Sequence, residues 1–228
     1  MSLYAISDLH LSLSTNKSME VFEGWEDYTN RIRDNWSNLI GENDTVVLPG
    51  DISWGMTLDE AYEDFNFINK LPGKKIISKG NHDYWWVTKN KMDTFFAQKG
   101  LNTLNILNNN HYEYGEYGIC GTRGWINENG QQADKKVLLR EAGRLEMSIQ
   151  SALKQNKKPI VFLHYPPVFA SDYNYDMIEV LNKYNIDKCY YGHIHGKSCN
   201  FAVKGERDGI NYQLISSDYL QFMPLKII

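Results

Sequence analysis

The chain has 228 residues, of which 42% are hydrophobic and 23% charged, a balance typical of soluble globular proteins. This length is enough for a substantial core, and we expect one α/β domain over residues 1–228. The formal net charge of −4 argues against a tight nucleic-acid binder, whereas a small phosphorylated substrate remains compatible if divalent cations reverse the local charge.

Strand-like and helix-like patterns alternate along the chain. Short β-rich apolar runs predict strands, and apolar residues at helical spacing predict helices. In chain order we expect strand 3–6, helix 25–39, strand 45–48, helix 61–68, strand 75–78, helix 85–95, strand 112–121, helix 138–153, strand 160–163, helix 176–184, strand 189–191 and strand 211–216.

Two local signals mark boundaries in this pattern. Thr57 and Glu60 form a predicted capping box for the second helix, and Pro72-Gly73 is expected to end it. Asp208-Gly209 predicts a hairpin turn before the last strand.

The three cysteines predict a reducing compartment. Cys120, Cys189 and Cys199 are odd in number and form no CxxC pair, so a disulfide framework is not expected. The first residues lack the basic start and longer apolar core of a signal peptide, and no apolar run approaches a membrane span. We therefore expect a cytoplasmic protein without a membrane partner.

Each of five predicted strands is followed by side chains that bind metals. These are Asp8 and His10, Asp51, Asn81 in Gly80-Asn-His-Asp83, His164, and His193 with His195. Sites in open α/β sheets form beyond the carboxyl ends of strands, so neighbouring strands would bring these side chains together. Carboxylate, imidazole and carboxamide ligands without a thiolate favour Mn, Fe or Zn over a structural zinc–cysteine centre.

In this order the motifs are similar to those of the calcineurin-like metallophosphoesterases. That family's pattern runs DxH, GD, GNH followed by an acid, a lone H, and GHxH. Here it reads Asp8-Leu-His10, Gly50-Asp51, Gly80-Asn-His-Asp83, His164 and Gly192-His-Ile-His195, with no element missing. The resemblance implies a four-layer α/β/β/α sandwich of two mixed sheets flanked by helices.

The resemblance also implies a role for each residue. Asp8, His10 and His195 would hold one divalent cation, Asn81, His164 and His193 would hold the other, and Asp51 would bridge both. His82 would lie beside the substrate phosphate without binding metal. The GD element continues as Gly50-Asp-Ile-Ser-Trp54 and not as GDxxDRG, which argues against protein-phosphatase activity.

The chemistry expected of two such cations is phosphoester hydrolysis. A hydroxide bridging them would attack phosphorus in line. His82 would then protonate the leaving alkoxide, and Asp83 would orient the imidazole. A helix N-cap is an alternative role for Asp83.

Three further residues are candidates for substrate binding. Arg123, at a predicted strand end between glycines, would grip phosphate, with a surface ion pair as the alternative. Trp54 and Trp86 follow the ligand motifs and would stack on a base or cover an apolar group, with core packing as the alternative.

Other functions remain open at this stage. The compact chain resembles small bacterial-type family members, including cyclic-nucleotide phosphodiesterases. A catalytically silent metal-binding scaffold is the alternative of another class, although such chains usually lose ligands. The HxHxD motif of metallo-β-lactamase-type hydrolases is absent from the sequence.

Overall fold

The computed structural model describes residues 1–125 and 135–228. These residues form five α-helices and thirteen strands, so the predicted α/β class is confirmed. The helices are α1 (Tyr28–Leu39), α2 (Tyr62–Lys70), α3 (Lys89–Lys99), α4 (Lys135–Leu153) and α5 (Tyr175–Lys183). The strands are β1 (Leu3–Ala5), β2 (Thr45–Pro49), β3 (Lys74–Ser78), β4 (Leu104–Ile106), β5 (Tyr112–Tyr114), β6 (Tyr117–Thr122), β7 (Lys158–Leu163), β8 (Val168–Phe169), β9 (Asp172–Tyr173), β10 (Lys188–Tyr191), β11 (Gly205–Arg207), β12 (Ile210–Leu214) and β13 (Leu225–Lys226).

The strands form two large mixed sheets and one short pair, β8 with β9. The first sheet has the order β13-β1-β2-β3-β4, in which β1 to β4 are parallel and β13 is antiparallel. The second has the order β11-β12-β10-β7-β6-β5, in which the four central strands are parallel and both edge strands are antiparallel. The parallel strands of each sheet therefore end at a common edge.

Side chains alternate between two cores along each central strand. Leu3 on β1 and Ile160 on β7 belong to the core between the two sheets. Their neighbours Tyr4 and Val161 face outward, Tyr4 into the core with α1 to α3 and Val161 into the core with α4 and α5. This period of two, with helices on both outer faces, confirms the predicted four-layer α/β/β/α sandwich.

Three sequence-based expectations about these elements are wrong. The helix expected from Trp25 begins only at Tyr28, with Asp27 at its N-cap. Residues 112–121 do not form one strand, because Gly115, with φ 55°, turns the chain and pairs Tyr114 with Tyr117 across a hairpin. The helix expected from Trp85 begins only at Lys89. Trp85 instead lies buried in the preceding loop, where its Nε1 donates a 3.0 Å hydrogen bond to Asp83.

The predicted capping box and the predicted hairpin turn have different outcomes in the structure. The capping residues close a turn just ahead of α2, because Thr57 Oγ1 accepts a 3.2 Å hydrogen bond from Glu60 N, and the helix itself begins at Tyr62. The predicted hairpin turn is confirmed, since Asp208 and Gly209, with φ 52° and 79°, join β11 to β12.

Two structural features relate to the predicted cellular location, namely the state of the cysteines and the character of the helices. All three cysteines are free and buried, including Cys199, whose thiol donates to the carbonyl of Ile194. No helix within 1–125 and 135–228 has the length and apolar composition that crossing a bilayer requires.

Candidate metal centre

The seven predicted ligands lie together where parallel strands of both sheets end. They follow β1 (Asp8, His10), β2 (Asp51), β3 (Asn81), β7 (His164) and β10 (His193, His195). Backbone hydrogen bonds join the strand ends across the edge, from Ser7 N to Ile215 O at 2.9 Å and from Gly192 N to His164 O at 3.0 Å. The edges of the two sheets thus form a single platform for these side chains.

One group at this edge comprises Asp8, His10 and His195. Each offers a ligand atom within 4.8 Å of the others. His195 Nε2 lies 3.4 Å from Asp8 Oδ1. This nitrogen is buried and has no hydrogen-bond partner within the described residues, so its lone pair or proton faces into the group.

The second group comprises Asp51, His164 and His193, again with ligand atoms within 4.8 Å of one another. Asn81 joins it, since its Oδ1 lies 2.6 Å from His164 Nε2 and 3.0 Å from His193 Nδ1. The carboxamide oxygen and both imidazoles therefore converge on the same point.

Asp51 lies between the two groups. Its Oδ2 is 3.7 Å from His10 Nε2 in the first group and 3.5 Å from His164 Nε2 in the second. Its other oxygen, Oδ1, accepts a 2.8 Å hydrogen bond from His82 N. One oxygen of Asp51 thus faces both groups, while the other anchors the loop after β3.

Four of the seven side chains are carried by strained backbone. Asp8, His10, Asp51 and His193 have φ values of 60°, 45°, 51° and 71°, in the left-handed region that non-glycine residues rarely adopt. Such strain costs roughly 1–3 kcal/mol per residue and concentrates at functional sites. The turns after β1, β2 and β10 therefore lower the stability of the fold but position these side chains at the site.

Glycines allow the loops to approach one another. A Cβ at Gly80 would collide with the Asp51 carboxylate, and a Cβ at Gly192 would collide with the side chains of Ser7 and Asp8. Neither glycine requires a left-handed φ, so the reason for glycine at both positions is close packing against the two carboxylates.

Burial keeps most of the site histidines neutral. It lowers the pKa of His164 to about 3 and of His193 to about 4, and it holds the pKa of His10 well below its usual range. Burial acts in the same sense on His195, but the hydrogen bond with Asp218 and the close contact and negative charge of Asp8 outweigh it and raise the pKa to about 10. Neutral imidazoles present the lone pairs that a metal ion needs.

Burial acts to raise the pKa of both site carboxylates, and neighbouring charges modify that effect. Burial and the charges of Asp83 and Asp8 raise the pKa of Asp51 well above its usual range. For Asp8, burial also acts to raise the pKa, but contacts and charges of histidines, His195 first, hold it below the usual range. Buried carboxylates among neutral imidazoles, with the His195 nitrogen facing them, are a donor set that fits divalent cations.

Asp83 lies beneath the loops that carry the predicted ligands. It is fully buried and accepts hydrogen bonds of 2.7–3.0 Å from Asp51 N, Ile52 N, Gly80 N and Trp85 Nε1. Burial raises its pKa to about 6, although the hydrogen bonds from backbone N–H groups oppose the shift. The helix-cap alternative is wrong, because α3 has Thr88 at its N-cap. The role of Asp83 in orienting His82 stays a prediction.

His82 and Trp54 lie at the open side of the centre. The His82 ring is 5.6 Å from the His10 ring, between centroids, and 4.5 Å from that of Trp54. Trp54 also stacks on His10, with centroids 5.0 Å apart and planes at 25°. Of the two tryptophans proposed for substrate binding, Trp54 is therefore in contact with the centre.

Arg123 and Trp86 line a separate small pocket with Lys79 and Arg144. The Arg123 side chain is 17% exposed, and its Nη2 lies 3.7 Å from the buried Glu141 carboxylate. The ion-pair alternative is thus present, but with a buried partner. The substrate roles of Arg123 and Trp86 stay predictions.

Asp218 is a residue of the centre that sequence reasoning missed. Its Oδ1 lies 2.8 Å from His195 Nδ1, and its Oδ2 accepts a 2.8 Å hydrogen bond from Gly196 N. Asp218 follows β12, a parallel strand of the second sheet. Applying the strand-end rule to this sixth strand would have pointed to it.

Both the sequence and the fold are similar to those of known proteins. Residues 1–197 match the family model described as calcineurin-like phosphoesterase. The Gene 66 protein of Mycobacterium phage L5 is 32% identical over 80 residues, which cover 34% of this chain and 37% of the phage protein. The match therefore spans little more than a third of that curated relative's length.

Two solved structures share the fold over nearly their whole length. The protein of unknown function AQ665 from Aquifex aeolicus has a TM-score of 0.53 and 17% identity, covering 99% of this chain and 95% of that one. The phosphopantetheinyl hydrolase PptH from Mycobacterium tuberculosis has a TM-score of 0.54 and 14% identity, covering 100% and 95%. At these identities the likeness shows the fold alone.

Proposed function

Because this chain belongs to the calcineurin-like phosphoesterase family of metal-dependent hydrolases, we propose that it hydrolyses a small phosphomonoester or phosphodiester with two divalent cations. The observation that carries the proposal is the position of Asp51 Oδ2, 3.7 Å from His10 Nε2 and 3.5 Å from His164 Nε2. A buried carboxylate oxygen that faces both groups supports a bridging role.

The proposed ligand sets follow the two groups. Asp8, His10 and His195 would hold one cation, Asn81, His164 and His193 would hold the other, and Asp51 would contact both. The oxygen and imidazole donors suit Mn, Fe or Zn. When bound, the cations supply charge that polarises a phosphoryl oxygen and lowers the pKa of a coordinated water.

The remaining residues would position the substrate and supply a proton to its leaving oxygen. His82 would donate a proton to the leaving oxygen, since its ring lies at the open side beside His10 and Trp54. Asp83 would hold the ligand loops through its four hydrogen bonds. Arg123 and Trp86 would contact the substrate from the separate pocket that they line. Neither a preference for cyclic nucleotides nor a non-catalytic scaffold has support from the matched family.

An activity panel tests the proposal. Protein purified without chelator and loaded with Mn²⁺ would be assayed on p-nitrophenyl phosphate, bis(p-nitrophenyl) phosphate, cyclic nucleotides and nucleoside phosphates. We expect hydrolysis of at least one ester, loss on chelation and recovery with Mn²⁺. Full activity of metal-free protein, or no hydrolysis by loaded protein, would contradict the proposal.

A further inference from the structure

A cavity of about 460 Å³ opens onto the centre on the side of His82. Three site histidines, His10, His82 and His195, line it. A proton donor must lie within hydrogen-bonding reach of the oxygen it protonates. If His82 protonates the leaving oxygen, the group attached to that oxygen occupies this cavity.

Aromatic side chains form the inner walls of this cavity. Trp54 stacks on the ring of His10, and its own ring lies 4.5 Å from that of His82. Trp25 is 3% exposed and meets the rings of His10 and His195 edge-on, at 5.9 Å and 5.7 Å. The surface beside the proton donor is therefore aromatic and held in place by packing.

The cavity continues outward over more apolar surface. A second cavity, of about 700 Å³, shares Met19, Phe22 and Trp54 with the first. Phe22 is 56% exposed, and Leu13 at the outer cavity is 49% exposed. Each cavity has the size of a small-molecule site, and their exposed apolar side chains would gain by being covered.

The charge along both cavities disfavours an anionic group there. Among the described residues that line them, the acids are Glu20 and Glu23, and the only lysine is Lys17. The Lys17 ammonium lies 5.7 Å from the centroid of the Trp54 ring. A polyphosphate or a second phosphate would need several cationic side chains besides those of the metal centre, which this lining does not offer.

We infer that these two joined cavities bind the substrate's leaving group, and that this group carries an uncharged aromatic ring. The inference rests on the proposed phosphoesterase function. Flat π-systems stack on indole and phenyl faces such as those of the half-buried Trp54 and the exposed Phe22, whereas a saturated ring of equal carbon count gains only from burial. The ring belongs either to a simple aryl ester or to a nucleoside.

Two phosphonates test the aromatic preference without turnover. Phenylphosphonate and cyclohexylphosphonate have the same carbon count and the same anionic head, and they differ in aromaticity. Their affinities for Mn²⁺-loaded protein would be measured by calorimetry. We expect phenylphosphonate to bind roughly tenfold more tightly, as stacking on aromatic walls predicts. Equal affinities, or tighter binding of the cyclohexyl compound, would overturn the inference.

Matched variants locate the preference in the cavity. Phe22→Ala and Trp54→Leu should each reduce the ratio of the two affinities severalfold at unchanged metal content. Phe201 is 64% exposed and lines neither cavity, so Phe201→Ala is the control and should keep the wild-type ratio. An unchanged ratio in both cavity variants would overturn the inference.

Hydrolysis rates separate the inference from the function it rests on. Phenyl phosphate and hexafluoroisopropyl phosphate have leaving groups of similar acidity, so a higher kcat/KM for phenyl phosphate supports aromatic binding. If both are hydrolysed equally, the phosphoesterase function stands and the inference fails. If loaded protein hydrolyses no phosphoester, the function itself fails. A higher kcat/KM for thymidine monophosphate than for phenyl phosphate would identify a nucleoside as the source of the ring.

Discussion

His195 Nδ1 lies 2.8 Å from Oδ1 of Asp218, a residue beyond the stretch that matches the family model. The second carboxylate oxygen accepts a hydrogen bond from Gly196 N, so Asp218 holds both the ring and the backbone after it. With Nδ1 engaged, Nε2 faces Asp8. Carboxylates behind metal-binding histidines fix the ring and raise its basicity, which makes Asp218 a proposed positioning residue.

The substitution Asp218→Asn should weaken cation binding without unfolding the protein. Loss of such a carboxylate typically costs about 10–100-fold in metal affinity. Calorimetric titration of metal-free protein with Mn²⁺ would measure the effect. Asp59→Asn is the control, since the Asp59 side chain is 84% exposed. Wild-type affinity in Asp218→Asn would show that His195 needs no partner.

Arg123→Ala tests the proposed phosphate contact against a purely structural ion pair. Arg123 and Arg144 share the buried carboxylate of Glu141, at 3.7 Å and 2.7 Å. If Arg123 contacts phosphate, its loss should lower kcat/KM roughly tenfold or more, while metal content stays unchanged. Arg33→Ala is the control and should keep the wild-type kcat/KM, since Arg33 pairs with Asp34 at the exposed surface and does not line this pocket. A wild-type kcat/KM in Arg123→Ala would assign Arg123 to the ion pair alone.

His82→Ala should separate proton donation from metal binding. The proposed ligand in this loop is Asn81, so both cations should remain bound. An alkyl phosphate, with its poor leaving group, should lose about 10²–10⁴-fold in rate, the usual contribution of general acid catalysis. p-Nitrophenolate leaves readily without being protonated, so the hydrolysis rate of p-nitrophenyl phosphate should fall less. Elemental analysis and the two rates decide the matter, and a lost metal ion or equal rate losses would refute the assignment.

Lys75 should impose a pH dependence on stability. Its side chain is fully buried, donates to Leu71 O and Thr103 Oγ1, and burial lowers its pKa from 10.5 to about 8. The folded state therefore binds the proton less tightly than the unfolded state does. The resulting stabilisation is fully present above pH 10.5 and is lost as pH falls through about 8.

Comparison with Lys75→Met isolates this group. Between pH 8 and 10.5 the free energy of unfolding of the wild type should rise by about 3 kcal/mol relative to the variant. Other groups that titrate in this range contribute equally to both proteins and cancel. Urea denaturation at several pH values measures the difference, and parallel pH profiles would contradict the expected shift.

Sequence reasoning pointed to the candidate ligands because they obey a local rule. Asp8, Asp51 and His164 each follow a short buried strand, and parallel strands must end at one edge. Trp25 was assigned to a helix stripe, and nothing in its spacing places it against His10. Phe22 lies in an irregular segment whose position depends on tertiary packing. Partners distant in sequence, such as Asp218 for His195, are set by how the sheets meet.

Local turn chemistry explains the remaining differences. Gly115 divides the predicted strand because glycine tolerates the φ of a tight turn. The helix after Trp85 starts late because that indole bonds to Asp83 beneath the ligand loops. The single domain, the cytoplasmic location and the metal identity stay predictions.

The stoichiometry of Mn²⁺ binding tests the two-cation centre most directly. Calorimetric titration of metal-free protein with Mn²⁺ should show two ions bound per wild-type chain. His10→Ala should weaken one binding step, His193→Ala should weaken the other, and Asp51→Asn should weaken both. A single ion per wild-type chain, or loss of the same step in both histidine variants, would contradict the proposal that Asp51 joins two metal sites.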